Sequence, residues 1–152
     1  MIAALKKLVA GLADSETEKP LDENELRLAT AALLVEAAVM DGSFDDDERR
    51  VIETILQDRF ALGEQEVQDL VASAEKTVDD SSQLYAFTRI IKDRVPHEER
   101  TEIIGMLWEV AYADGELHDY EANLVRRVSG LINVPDRESG AARKQAMQRL
   151  GL

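Results

Sequence analysis

Two glutamates stand alone inside apolar stretches of the sequence. Glu36 is the only charged residue in 29–40, and Glu109 is the only charged residue in 103–113. A carboxylate in a helical core costs several kcal/mol unless it is protonated, paired with a cation, bound to a metal or to backbone N–H groups, or able to reach water along a polar strip. The sequence leaves these alternatives open for both glutamates.

A salt bridge is restricted by where the basic residues fall. The only basic residue that recurs with the glutamates is an arginine nine positions earlier, Arg27 before Glu36 and Arg100 before Glu109. At that spacing the arginine lies on the opposite side of its own helix, so it can pair only across to a neighbouring helix.

Each isolated glutamate is followed by an Asp-Gly pair and then by a second glutamate. The pairs begin at Asp41 and Asp114, and the later glutamates, Glu48 and Glu121, lie seven residues beyond them. This spacing matches the second half of a calcium-binding loop, in which the last glutamate is a bidentate ligand. The residues two and four positions before each Asp are apolar or aromatic, which excludes an orthodox calcium hand.

The Asp-Gly segments have two readings. As a purely structural turn, the glycine ends one helix in a left-handed conformation and Asp45 caps the next, with Glu48 at the position of a capping box. As a cation site, the acidic side chains of both turns gather around a divalent ion.

The chain repeats itself at a spacing of 73 residues. Comparison of 25–48 with 98–121 gives nine identities, and most of the matched residues are polar, which core packing alone does not select. We therefore predict two similar helix-turn-helix units around an approximate two-fold axis. The matched pairs are Glu25/Glu98, Arg27/Arg100, Leu34/Leu107, Glu36/Glu109, Ala38/Ala111, Asp41/Asp114, Gly42/Gly115, Asp46/Asp119 and Glu48/Glu121.

The elements that must position these residues are all helices. Apolar residues recur at three and four positions, alternating strand patterns are absent, and there are only three prolines and eight glycines. We predict an all-α, single-domain bundle of about seven to eight helices. An N-terminal amphipathic helix and linker occupy 1–21, and the main helical domain occupies 22–152. Its predicted helices are 22–41, 45–60, 63–78, 82–94, 96–114, 118–132 and 137–150.

Composition narrows the class of partner. The net charge is −13 over 152 residues, so nucleic acid and anionic lipid are poor partners, whereas metal cations and basic peptides are plausible. There are no cysteines, which removes thiolate metal sites and thiol nucleophiles and favours the cytoplasm. The apolar run at the N-terminus is too short to span a bilayer, so we expect no membrane insertion.

In each copy of the repeat, an apolar helix end is followed by Asp-Gly and by a glutamate seven residues after the Asp. This doubled pattern resembles the tellurite-resistance protein B (TerB) family. The resemblance covers about residues 22 to 150. It implies an all-helical fold in two similar halves, no catalytic activity and no cofactor other than a divalent metal ion. Carried over by position, it implies the metal ligands Glu36, Asp41, Glu48, Glu109, Asp114 and Glu121.

Two functions follow as expectations. The first is a cytoplasmic, non-enzymatic protein that binds a divalent cation at the acidic turns and acts in a tellurite or other stress response. The alternative is an interaction module whose turns are purely structural and whose acidic surface docks a protein partner.

Overall fold

The computed structural model describes residues 21–40, 45–77, 83–113, 117 and 119–152. These residues contain seven helices and no strand, so the predicted all-α class is confirmed. The helix expected near the N-terminus lies outside the described residues. The seven are α1 (Glu23–Met40), α2 (Asp46–Phe60), α3 (Glu64–Thr77), α4 (Gln83–Arg94), α5 (His97–Ala111), α6 (Asp119–Leu131) and α7 (Asp136–Arg149).

Local sequence fixes where α1 and α2 begin. The Glu25 N–H donates to Asp22 Oδ1 at 2.8 Å, and the Asp22 N–H donates to Glu25 Oε1 at 3.2 Å, which is a reciprocal capping box. Asp45 caps α2 by accepting the Glu48 N–H at 2.9 Å. Both caps satisfy backbone donors that the first helical turn leaves without intrahelical partners.

Two apolar helices form the centre of the molecule. Every residue in 28–38 of α1 and in 103–109 of α5 is buried. Helix α1 contacts α2, α3, α4 and α5, and α5 contacts α1, α2, α6 and α7. A helix that is apolar on all sides needs partners on all sides, and this arrangement supplies them.

Helices α2 and α6 end in the same way. Each is followed by a residue in the left-handed conformation, Ala61 with φ 51° and Asn133 with φ 57°. In both, the next N–H donates to the carbonyl five positions earlier, at 3.3 Å after α2 and 2.8 Å after α6. The helices that follow, α3 and α7, are each 14 residues long. The chain therefore turns in the same manner from α2 into α3 and from α6 into α7.

A polar and aromatic network joins α5 to α7. The Trp108 Nε1–H donates to Ser139 Oγ at 3.1 Å, inside the core. The Arg143 Nε–H donates to the Tyr112 hydroxyl at 2.6 Å, and its guanidinium carbon lies 5.4 Å from the centre of the Trp108 ring. Burying the indole is favourable here because its N–H keeps a hydrogen-bond acceptor.

Among the described residues, no helix is both long and apolar enough to cross a membrane.

Candidate functional site

The two isolated glutamates are buried. Glu36 is 2% exposed in α1, and Glu109 is 7% exposed in α5. Their burial follows from the apolar residues on either side, which pack into the core and draw the carboxylate in with them. In the folded protein, both carboxylates therefore need a partner or a proton to offset the loss of water.

Two arginines accommodate Glu109. Arg59 Nη2 lies 3.3 Å from Glu109 Oε1, and Arg149 Nη1 lies 3.1 Å from the same oxygen. Arg59 is in the last turn of α2 and Arg149 is the last residue of α7, where a positive charge also interacts favourably with the helix dipole. Of the alternatives left open by the sequence, Glu109 uses a salt bridge.

Burial nevertheless dominates the titration of Glu109. Removal of water raises the pKa of the carboxyl above its ordinary value of 4.5, the Arg59 charge lowers the pKa, and the nearby negative charge of Asp58 raises it further. The net direction is upward, so the folded protein holds a proton on Glu109 more readily than the unfolded chain does.

The recurring arginines have another role. Arg27 Nη2 donates to the Phe60 carbonyl at 3.4 Å, and Arg100 Nη1 donates to the Ile132 carbonyl at 2.7 Å. Each arginine thus reaches across to a neighbouring helix, as its spacing predicts, but it binds a carbonyl at the end of that helix. Such carbonyls have no intrahelical donor, and a cation there is stabilising.

The later glutamates lie at the start of the second helix of each predicted unit. Glu48 is in the first turn of α2 and Glu121 is in the first turn of α6, and both are half-buried and engaged by other groups. Glu36 also has an interaction partner in the structure. Asp41 and Asp114 lie outside the described residues. The structure therefore positions four of the six predicted ligands.

A metal cluster is not formed by the described residues alone. In the parts of the chain that the structure describes, no three histidine or acidic side chains form a group that could hold a metal ion. A site built from the predicted ligands would depend on Asp41 and Asp114, which the described ranges do not include.

The repeat at a spacing of 73 does not point to the arginines around Glu109, because Arg59 and Arg149 both lie outside the matched segments 25–48 and 98–121. The available signal was composition, because both arginines fall at helix ends in a strongly acidic chain.

Comparison with known families identifies the chain at this point. A family model described as "Tellurite resistance protein TerB" matches residues 27–144, which is most of the sequence. The chain belongs to the TerB family. The resemblance drawn from the Asp-Gly pattern is thereby confirmed, and the matched segment of this TerB-family chain includes Glu109 and Arg59 but not Arg149. Searches of curated proteins and of solved structures found no match.

Proposed function

We propose that this TerB-family chain is a cytoplasmic, non-enzymatic protein that binds a divalent cation through the acidic Asp-Gly turns. The observation that supports the proposal is the burial of Glu36 and Glu109, each five positions before an Asp-Gly pair, at equivalent places in two segments that we interpret as copies of one unit. The ligands are Glu36, Asp41, Glu48, Glu109, Asp114 and Glu121, and carboxylate oxygens are the ligands that hard divalent cations prefer. By extension from the family's name, we propose a role in a tellurite or related stress response.

Calorimetric titration tests the cation site. Metal-free protein is titrated with calcium, magnesium, manganese and zinc in turn, and we expect saturable binding of at least one of them. The double substitution Asp41→Asn with Asp114→Asn should weaken that binding at least about tenfold, because it removes one charged ligand from each turn.

A matched control separates a specific site from general attraction to an acidic protein. Asp93→Asn with Asp136→Asn changes the net charge by the same amount at exposed helix positions. This control should bind like the unaltered protein. Equal binding in both double variants would refute the acidic turns as the site.

A second candidate function is an interaction module whose acidic surface docks a basic partner. Two contacts favour it: Asp45 acts as a helix cap, and Glu109 has two arginine partners, so neither carboxylate requires a metal ion. Binding of a labelled oligolysine peptide should then survive a chelator and be lost in high salt, because exposed charges are screened. Loss of binding with chelator and retention in high salt would exclude this function.

A further inference from the structure

A basic cleft lies beside Glu109 in this acidic molecule. It is open on one side, encloses about 660 Å³, and runs along α2 between the end of α5 and the end of α7. Its basic residues are Arg50, Arg59 and Arg149. Among the residues that the structure describes, its acidic residues are Asp58 and Glu109, so this part of the lining has one net positive charge on a chain of net charge −13.

The charge is placed asymmetrically around the ion pair. A second cleft is lined by the same three side chains, Arg59, Glu109 and Arg149, but it also contains Glu102 and Glu138. An anion is therefore repelled from that side and is attracted to the side that contains Arg50.

The arginines retain unused donors. A guanidinium has five N–H donors, and Arg59 and Arg149 each contact Glu109 through one nitrogen. Within the described residues neither makes another hydrogen bond, and the remaining nitrogens of Arg59 are not sealed from solvent. These donors can bind a second carboxylate in the fork geometry that guanidinium groups favour.

Apart from Thr54, the rest of the described lining is apolar. Val51 and Ile55 lie on the α2 wall, and Leu150, an exposed large apolar residue, lines the cleft just after the end of α7. Nine positions separate Arg50 from Arg59 in α2, a rise of about 13.5 Å along the helix axis, and at this spacing they leave the helix on opposite sides, so they lie at opposite edges of the α2 wall of the cleft. An extended peptide that crosses this wall diagonally covers such a distance in about four or five residues, and its alternate side chains point to one face.

We propose that this cleft binds an extended acidic peptide segment of a partner protein, with one carboxylate between Arg59 and Arg149, an apolar side chain against Val51 and Ile55, and a second carboxylate at Arg50. A peptide fits better than a small organic acid because the cleft is open, whereas small-molecule sites enclose most of their ligand. Glu109 belongs to both this cleft and the proposed cation site, but peptide binding depends on the arginines and is measured in the presence of a chelator, so the two proposals are tested separately.

The test uses a peptide designed to this geometry. The probe is acetyl-Glu-Ser-Leu-Ser-Glu-amide, which places both acidic groups and the leucine on one face of an extended chain. It is titrated to millimolar concentration, with chelator present, into ¹⁵N-labelled protein while backbone amide and arginine Nε–H signals are followed. We expect saturable shifts at Ala113, Leu150 and the Arg59 side chain.

Substitutions assign the binding to the arginines. Arg59→Gln and Arg149→Gln should each weaken binding about tenfold, the effect of losing one charge-assisted hydrogen bond. Arg137→Gln, at an exposed position of α7 outside the cleft, is the control and should leave binding unchanged. Glu109→Gln should strengthen binding, because a neutral amide competes less well for the guanidinium groups. If Arg59→Gln disturbs the fold, Arg149→Gln at the half-exposed helix end still gives the answer.

Three outcomes would overturn the proposal. One is equal binding of acetyl-Gln-Ser-Leu-Ser-Gln-amide, which lacks the carboxylates, and another is unchanged affinity in both arginine variants. The third is the same shifts with the same affinity from sodium acetate, which would show a site for small anions. Failure of the peptide test would leave the cation titration unaffected, so the two proposals fail separately.

Discussion

The segment α1–α3 and the segment α5–α7 end their second helices in the same way, but they differ in the side chains of their cores. In both, an arginine of the first helix binds a terminal carbonyl of the second, and a left-handed residue follows. The core positions diverge. Val35 of α1 corresponds to Trp108, and Val67 and Val71 of α3 correspond to Ser139 and Arg143 of α7.

The difference extends to the glutamates. Glu109 lies against Arg59 and Arg149, but the corresponding positions of the other segment carry Leu131 and Thr77. The two segments thus share the contacts that satisfy the backbone at the helix end, but they bury different side chains with different partners. Backbone groups must be satisfied in any such turn, whereas a core accepts several combinations of similar volume.

Replacement of the indole should have the largest effect and should separate the two cores. Trp108→Ala should lower the free energy of unfolding by about 3–5 kcal/mol, because it leaves a large cavity and removes the partner of Ser139. Val35→Ala at the corresponding position should cost only about 2 kcal/mol, since it removes two methyl groups. Urea unfolding followed by circular dichroism suits both variants, because Trp108 is the single tryptophan and fluorescence would be lost with it.

The Trp108 comparison has an internal check at the hydrogen bond. Ser139→Ala keeps the indole but leaves its buried N–H without an acceptor, at a cost of about 1–3 kcal/mol. If Trp108→Ala and Val35→Ala were equally destabilising, the different side chains at these two core positions would make no difference to the free energy of unfolding.

Glu109 should make stability depend on pH. Its folded pKa is raised above 4.5 by burial, so the stabilising effect of its bound proton is fully present below the unfolded value and is lost as pH rises through the folded value. Glu109→Gln removes this dependence. Relative to the unaltered protein, the Gln variant should therefore gain stability as pH rises above the ordinary value of 4.5, measured by urea unfolding at each pH.

The arginine supplies the control for this pH effect. The Arg59 charge holds the pKa of Glu109 down, so Arg59→Gln should make the stability fall more steeply with rising pH. A shallower slope in Arg59→Gln would contradict the assigned role of the ion pair.

The two arginines that bind helix-end carbonyls, Arg27 and Arg100, should contribute to stability in both segments. Arg100→Met should cost about 1–2 kcal/mol, because it removes a charged donor from the carbonyl of Ile132 but keeps an apolar stem. Arg27→Met should cost about 1 kcal/mol, since its contact with Phe60 is longer and its ion pair with the exposed Glu23 contributes little. Thermal unfolding, with Arg126→Met at an exposed position as control, compares them. A loss in one segment only would show that the shared geometry is not a shared source of stability.

Much of the fold could be predicted from local chemistry. The capping box at Asp22 and Glu25, the cap at Asp45 and the prolines before α5 and α7 mark helix starts within a few residues of their observed positions. The burial of Glu36 and Glu109 follows from their apolar neighbours. These are effects of residues within one or two helical turns, which a sequence displays directly.

The surroundings of Glu109 could not be predicted in the same way. Arg59 is 50 positions away and Arg149 is 40 positions away, and they meet only because α2 and α7 both pack against α5. The correspondence of α3 with α7 is also not evident from the sequence. Its spacing is 72 rather than 73, and only Glu66 with Glu138 and Ala74 with Ala146 are identical, which is too little to indicate a repeat.

Substitution of the left-handed residues after α2 and α6 should have the smallest effects on stability, and the effects should differ because one residue is alanine and the other is asparagine. Ala61 has φ 51° and carries a side chain that disfavours this region by about 1–2 kcal/mol, whereas asparagine at 133 tolerates it. Glycine removes that strain but adds freedom to the unfolded chain, worth about 0.5–1 kcal/mol. Ala61→Gly should therefore stabilise by about 0.5–1 kcal/mol, and Asn133→Gly should change stability by less. Ala141→Gly, at an exposed position within α7, should instead destabilise by about 1 kcal/mol, because its backbone is helical. If Ala61→Gly were as destabilising as Ala141→Gly in thermal unfolding, Ala61 would not be strained, and the two segments would not close their helices alike.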